Sequence, residues 1–179
     1  MCFIPLFFSV LSRKGYFLRF SFGEYKSNVQ ICSEIPDISR IAADFGLDIN
    51  KNSFKPLLIA DENTFFIAEK ICKNKDFPIC VLKSGEENKN WQSVQVILEK
   101  AHNESLGRDG IFIAVGGGVI GDIAAFASSI YKRGCNLAIV STTLLAMVDA
   151  SVGGKTGFDL FEIKNLIGTF TLHIIYICR

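Results

Sequence analysis

The sequence predicts an α/β domain with a doubly wound, mostly parallel sheet and helices on both faces, and three observations predict it. Short apolar runs alternate with stretches of helical periodicity. The ends of the apolar runs collect acidic, amide and hydroxyl residues, and a glycine cluster stands where one run turns into a helix. Strands that alternate with helices are too far apart in the chain for hairpins, so parallel pairing with crossover helices follows. Of 179 residues, 49% are hydrophobic and 21% charged, which suits a packed domain. Nineteen Lys and Arg against eighteen Asp and Glu leave a net charge of +1 without a basic run, so no nucleic-acid surface is expected. An anionic ligand has to be met locally.

Residues 1–28 are rich in Phe without a clear period and predict a leader or an edge strand. Their apolar stretch CFIPLFFSVL is about ten residues long, too short to span a bilayer, and no basic residue precedes it. The six cysteines, Cys2, Cys32, Cys72, Cys80, Cys135 and Cys178, form no CxxC pair, which suits a reducing cytoplasm with no membrane attachment. From Val29, VQICSEI predicts a strand, and PDISRIAADFGLDI places Ile38, Ile41, Ala42 and Phe45 at helical spacing before Gly46. PLLIADENT, from Pro56, is a buried strand ending in Asp61, Glu62 and Asn63, followed by TFFIAEKICKNK, a helix closing on lysines. FPICVL is a strand running into KSGEENKN. In NWQSVQVILEKAHNESL, Val94, Ile97, Leu98 and Ala101 share one helical face, and Gly107 is the expected break. IFIAVGGGVIGD is the next strand and turn, AAFASSIYKRG extends its helix to Gly134, and CNLAIVSTT is a strand ending in Thr142 and Thr143. LLAMVDASVGGKTGFDL leads into a glycine-rich loop.

In open parallel sheets ligands bind beyond the carboxyl ends of the strands, where loops and helix N-termini converge. Asp61 and Asn63, Glu86 and Lys89, the glycines from Gly116, and Thr142 and Thr143 all fall at such ends. Gly116, Gly118 and Gly121 satisfy GxGxxG, with Gly117 extra. Glycine permits positive φ and close approach of a pyrophosphate, and a helix N-terminus favours its charge. The same pattern also suits a tight turn with close helix packing and no ligand. No acidic residue follows about twenty positions on, where a dinucleotide fingerprint has its ribose-binding acid. That role falls to Asp61, which is equally suited to capping a helix. SVGGKTG, 151–157, is not a phosphate-binding P-loop, because Asp149 stands where that motif requires its first glycine. Lys155, Lys164 and Arg133 offer cations to an anionic ligand. His102 and His173 are the only histidines, so a histidine-rich metal site cannot be assembled.

Taken in order and spacing, GEENK, RDGIFIAVGGGVIGDIAAFASSIYKRG, STTLLAMVDASVGGKTG and KNLIG resemble 3-dehydroquinate synthase, from about Asp61 to Phe170. The resemblance implies a Rossmann-like NAD-binding domain over residues 29–170. It also implies a C-terminal helical domain holding a divalent metal, zinc or cobalt, which has no counterpart here. The implied reaction converts 3-deoxy-D-arabino-heptulosonate 7-phosphate to 3-dehydroquinate and phosphate in the shikimate pathway of aromatic amino acid biosynthesis. NAD is used catalytically, and the full-length family is homodimeric. Around NAD the resemblance places Asp61, Asn63, Glu86, Lys89, Gly117, Gly118, Val119, Gly121, Asp122, Thr142, Thr143 and Lys164. Around the phosphorylated sugar acid it places Arg133, Asp149, Lys155 and Asn165. Without counterparts to the metal ligands, this chain is expected not to turn over alone. Another sugar phosphate cyclase, a glycerol dehydrogenase-like enzyme and a non-catalytic NAD-binding remnant are the alternatives. Residues 171–179 depart from the family pattern, which continues with an aromatic residue and a proline. Restoring one nucleotide in a back-translation yields a family-like FYTPHNIYMS, so a frameshift is the expectation there.

Overall fold

The computed structural model describes residues 7–8, 15–22, 25–51, 54–73, 75–150, 154–171 and 174–178, with side chains described from residue 28 onward except at 149, 150 and 178. The strands are β1 (Phe7–Phe8), β2 (Gly15–Phe22), β3 (Tyr25–Cys32), β4 (Pro56–Asp61), β5 (Ile79–Leu82), β6 (Ile111–Gly116), β7 (Asn136–Ser141), β8 (Lys155–Leu160), β9 (Ile163–Phe170) and β10 (Ile174–Cys178). The helices are α1 (Ile38–Asp44), α2 (Phe65–Cys72), α3 (Trp91–Asn103) and α4 (Gly118–Ile130). Eight strands form one sheet in the order β1-β2-β3-β10-β7-β6-β4-β5. From β3 to β5 every pairing is parallel, and β1 and β2 add an antiparallel edge. This is the mostly parallel, Rossmann-like sheet that the alternation predicts.

Successive strand residues point to opposite faces, and here both faces are covered. Leu57 and Ile59 of β4 join Phe112, Ala114, Leu137 and Ile139 in a core shared with α3 and α4. Leu58 and Ala60 join Ile113, Val115, Ala138 and Val140 in a second core beneath α1 and α2. A strand buried on both sides reads as a continuous apolar run, which is why no polar alternation marks these segments.

Local signals set the helix ends. Asp37 caps α1, accepting from Arg40 N–H at 2.8 Å. Gly46, at φ 67°, closes it, with Gly46 N–H on the Ala43 carbonyl and Leu47 N–H on the Ala42 carbonyl. Asn90 caps α3 by accepting from Ser93 N–H at 3.0 Å. This helix stops before the expected Gly107: it ends at Asn103, and Ser105 at φ 53° turns the chain. No helix among the described residues is long and apolar enough to cross a membrane.

Three sequence expectations are corrected. Within residues 1–28, Gly15–Phe22 pairs with Tyr25–Cys32 as a hairpin at the sheet edge, so β3 begins before Val29. The glycine-rich stretch is not only loop, because β8 and β9 form an antiparallel hairpin. Its facing glycines explain why: a Cβ on Gly157 would lie 2.6 Å from the Ile167 carbonyl oxygen, and one on Gly168 would lie 2.2 Å from that of Thr156. Two side-chain-free positions let the strands approach closely. The boundary expected at 170/171 does not divide the sheet either. Ile174–Cys178 lies between β3 and β7, parallel to both, and Tyr176 is fully buried with its hydroxyl donating to Asp44 Oδ2 at 2.7 Å.

Candidate functional site

The carboxyl ends of β4, β6 and β7 bring most of the predicted residues to one side of the molecule. Asp61 closes β4, and its Oδ1 accepts from the N–H groups of Asn63 and Thr64 and from the Thr64 hydroxyl, each at 2.9 Å. The Thr64 hydroxyl, also within 2.8 Å of the Val115 carbonyl, has one proton to share between these acceptors. Asp61 Oδ2 has no donor among the described residues. The side chain of Asn63 is exposed. Thr64 is the residue that sequence reasoning missed here, and its signal was only its place after an Asp at a strand end.

At the end of β6 the glycine cluster works by absence of side chains, not by positive φ. Gly117, the N-cap of α4, has φ −81°, and Gly116, Gly118 and Gly121 are not among the positive-φ glycines either. A Cβ on Gly116 would lie 2.7 Å from Ile120 Cβ, and one on Gly117 would lie 3.2 Å from Thr143 Cγ2. Gly121 lies one turn into α4 facing Ile139. No side chain caps α4, so its first N–H groups and the positive end of its dipole are available to an anion. Thr142 N–H donates to the Gly116 carbonyl at 3.0 Å, and Thr143 Oγ1 accepts from Ala146 N–H at 3.2 Å, fixing the turn beside the glycines.

A cleft of about 780 Å³ opens at this helix end, lined by Glu86, Lys89, Gly118, Val119, Asp122, Lys155 and Asn165 together with Leu145, Leu166 and Phe170. Lys89 is its centre. It is 6% exposed, and its ammonium donates to Asp122 Oδ2 at 2.5 Å and to Asn165 Oδ1 at 2.6 Å. Residues predicted to serve the cofactor and a residue predicted to serve the substrate therefore share one ammonium. Glu86 pairs with Lys164 at 3.4 Å, both exposed. Lys155 is exposed on β8 and has no ion pair among the described residues.

The expected cation cluster is smaller than the sequence suggests. Lys89 and Lys164 are neutralised by partners. Arg133 follows the C-terminal end of α4, roughly 18 Å from Gly118 at 1.5 Å per residue, so within one chain it stands away from the cleft. Asp149 falls in a π-helical turn, Ala146–Ala150, and its side chain lies outside the described residues. No group of three or more His, Cys, Asp and Glu that could hold a metal comes together among the described residues. His173 lies outside the described residues. Burial pushes the Cys80 thiol up to about 11 and that of Cys135 up to about 12, so neither is a nucleophile at neutral pH.

A mostly parallel α/β sheet with a glycine turn and an uncapped helix N-terminus at the mouth of a cleft defines a Rossmann-like class of domain. Residues 79–178 match the 3-dehydroquinate synthase N-terminal family, and the chain belongs to that family. It is 46% identical over 121 residues to 3-dehydroquinate synthase of Helicobacter pylori strain G27, covering 65% of this chain and 35% of that protein. It is 49% identical over 105 residues to the Helicobacter hepaticus 3-dehydroquinate synthase, covering 59% and 30%. The chain thus spans about a third of the length of these relatives. Among solved structures, 2-deoxy-scyllo-inosose synthase complexed with carbaglucose-6-phosphate, NAD+ and Co2+ has the same fold, with TM-score 0.74 and 24% identity over 90% of this chain and 45% of that one. The 2-epi-5-epi-valiolone synthase of Streptomyces hygroscopicus with NAD+ and Zn2+ bound gives TM-score 0.68 and 26% identity, covering 87% and 44%.

Proposed function

We propose that this chain forms the NAD-holding wall of a 3-dehydroquinate synthase. The reaction proposed for a protein of the relatives' length converts 3-deoxy-D-arabino-heptulosonate 7-phosphate to 3-dehydroquinate and phosphate in the shikimate pathway. The observation that carries this reading is Lys89 bonded at once to Asp122 and Asn165 at the uncapped end of α4. The relatives' names support the reaction, and the NAD+ held by neighbours of this fold supports the cofactor.

The residues present fit NAD. The bare N-terminus of α4 suits a pyrophosphate, and the close contact a Cβ on Gly117 would make with Thr143 explains why the turn is glycine. Asp61 Oδ1 is held by the N–H groups of Asn63 and Thr64 and faces the Thr64 hydroxyl, which leaves Oδ2 to accept from a ribose hydroxyl. When bound there, NAD would supply a reversible hydride acceptor. Lys155, as a point charge, and Asn165, as an amide donor, are the groups offered to a phosphorylated sugar acid. Titration calorimetry of the chain with NAD tests the reading: heat of binding that is lost in Asp61→Ala is the expected result. A folded chain without NAD binding would refute it.

A further inference from the structure

The hairpin β8–β9 breaks its pairing between Phe158 and Leu160, and Asp159 sits at the break. An irregularity of this kind re-aims a side chain. Asp159 N–H donates to the Lys89 carbonyl at 2.8 Å, and its Oδ1 accepts from Asn165 N–H at 2.7 Å. Asn165 holds a left-handed backbone, φ 52°, a region that Asn enters more readily than most residues with a Cβ and that the bond to Asp159 fixes here. The side-chain oxygen of Asn165 then accepts from Lys89 Nζ at 2.6 Å. The three bonds close a ring through Lys89, Asp159 and Asn165. Asp159 does not itself line the cleft, whereas Lys89 and Asn165 do.

A lysine ammonium rides on a flexible four-carbon stem and explores many rotamers when unheld. Asp122 on α4 and Asn165 on β9 hold this one from two elements, leaving one of its three N–H groups for a ligand. We infer that Asp159 is a positioning residue: it locks Asn165 in the left-handed conformation and, through Asn165, aims the Lys89 ammonium into the cleft, so that the α4 wall and the hairpin wall act as one. The consequence for NAD rests on the proposed function. The clamp on Lys89 does not.

Acylation of lysine amines, mapped by mass spectrometry on the chain, reads the clamp directly, and calorimetry with NAD reads its consequence. In Asp159→Ala, Lys89 should label about tenfold faster and NAD should bind about tenfold more weakly. Asp159→Asn, which keeps an oxygen acceptor, should stay near the parent in both. Asn165→Gly keeps the left-handed backbone but removes the amide. It should release Lys89 as Asp159→Ala does, and combining the two changes should add little. Unchanged labelling of Lys89 in folded Asp159→Ala, or additive effects in the double variant, would overturn the inference. Should Asp159→Ala not fold, equal Lys89 labelling in Asn165→Gly and the parent overturns it instead. A parent chain that does not bind NAD removes the NAD reading and leaves the labelling to decide the clamp.

Discussion

The central strands and β9, the outer strand of the β8–β9 hairpin, end in opposite environments. β6 is buried at every position and β7 at all but its first, whereas β9 is exposed at all but one. The reason is layering. The sheet has helices on both faces, while the hairpin packs by β8 onto α4, with Phe158 at 5.1 Å from the Phe126 ring and 5.8 Å from the Trp91 ring. Ile163, Leu166 and Phe170 of β9 remain exposed, Leu166 and Phe170 at the cleft, as do Leu144 and Leu145. The two walls of the cleft therefore differ in support: α4 lies along the main core, whereas the hairpin wall reaches that core only through β8, by Phe158 and Leu160, and is tied to α4 by the Lys89 clamp. Elements with few buried contacts open first.

The sharpest test pairs one phenylalanine from each region. Phe112→Ala, in the sheet, should cost about 3–5 kcal/mol of global stability in urea unfolding. Phe158→Ala should show its largest effect as faster amide hydrogen exchange in β8–β9, with a smaller change in the global midpoint. Equal losses of midpoint would make sheet and hairpin one cooperative unit. A smaller effect is expected at the other end of the sheet, where Lys73, hydrogen-bonded to Asp37 at 2.5 Å, holds the Asp37 carboxyl below its usual value. A depressed folded pKa contributes stability that is present above the unfolded value, about 3.9, and is lost as pH falls through the folded one. Because Lys73 is largely exposed, the contribution should be a few tenths of a kcal/mol. Asp37→Asn should thus melt slightly below the parent at pH 7, and the gap should close below pH of about 4. Smallest of all, Phe161→Ser, at a side chain 80% exposed, should change stability by no more than about 0.5 kcal/mol. A larger loss would mean that the outer face of the hairpin is not open.

Legibility followed the range of the interactions. The strands from Pro56, Ile111 and Asn136 were readable because each buries nearly all its side chains and announces it as an apolar run, and the edge strand from Ile79 was readable from its short apolar run alone. The glycine turn was readable as a close-packing site, though not its mechanism, since φ at Gly117 is ordinary. The hairpin was hidden because Gly157 and Gly168 look like loop residues singly and become strand residues only when they face one another. Arg133 looked like a ligand for an anion by composition, and only the direction of α4 removes it from the cleft within one chain.

The sequence by itself determined the alternation of strands and helices, the apolar runs of the central strands, and the glycine turn at the end of β6. These depend on local periodicity and backbone sterics, which neighbours in the chain impose on one another. Tertiary structure alone decided that Ile174–Cys178 enters between β3 and β7, and that Lys89 is bound by partners 33 and 76 residues away. Strand order and ion-pair choice depend on which surfaces meet after folding, and no local pattern encodes that meeting.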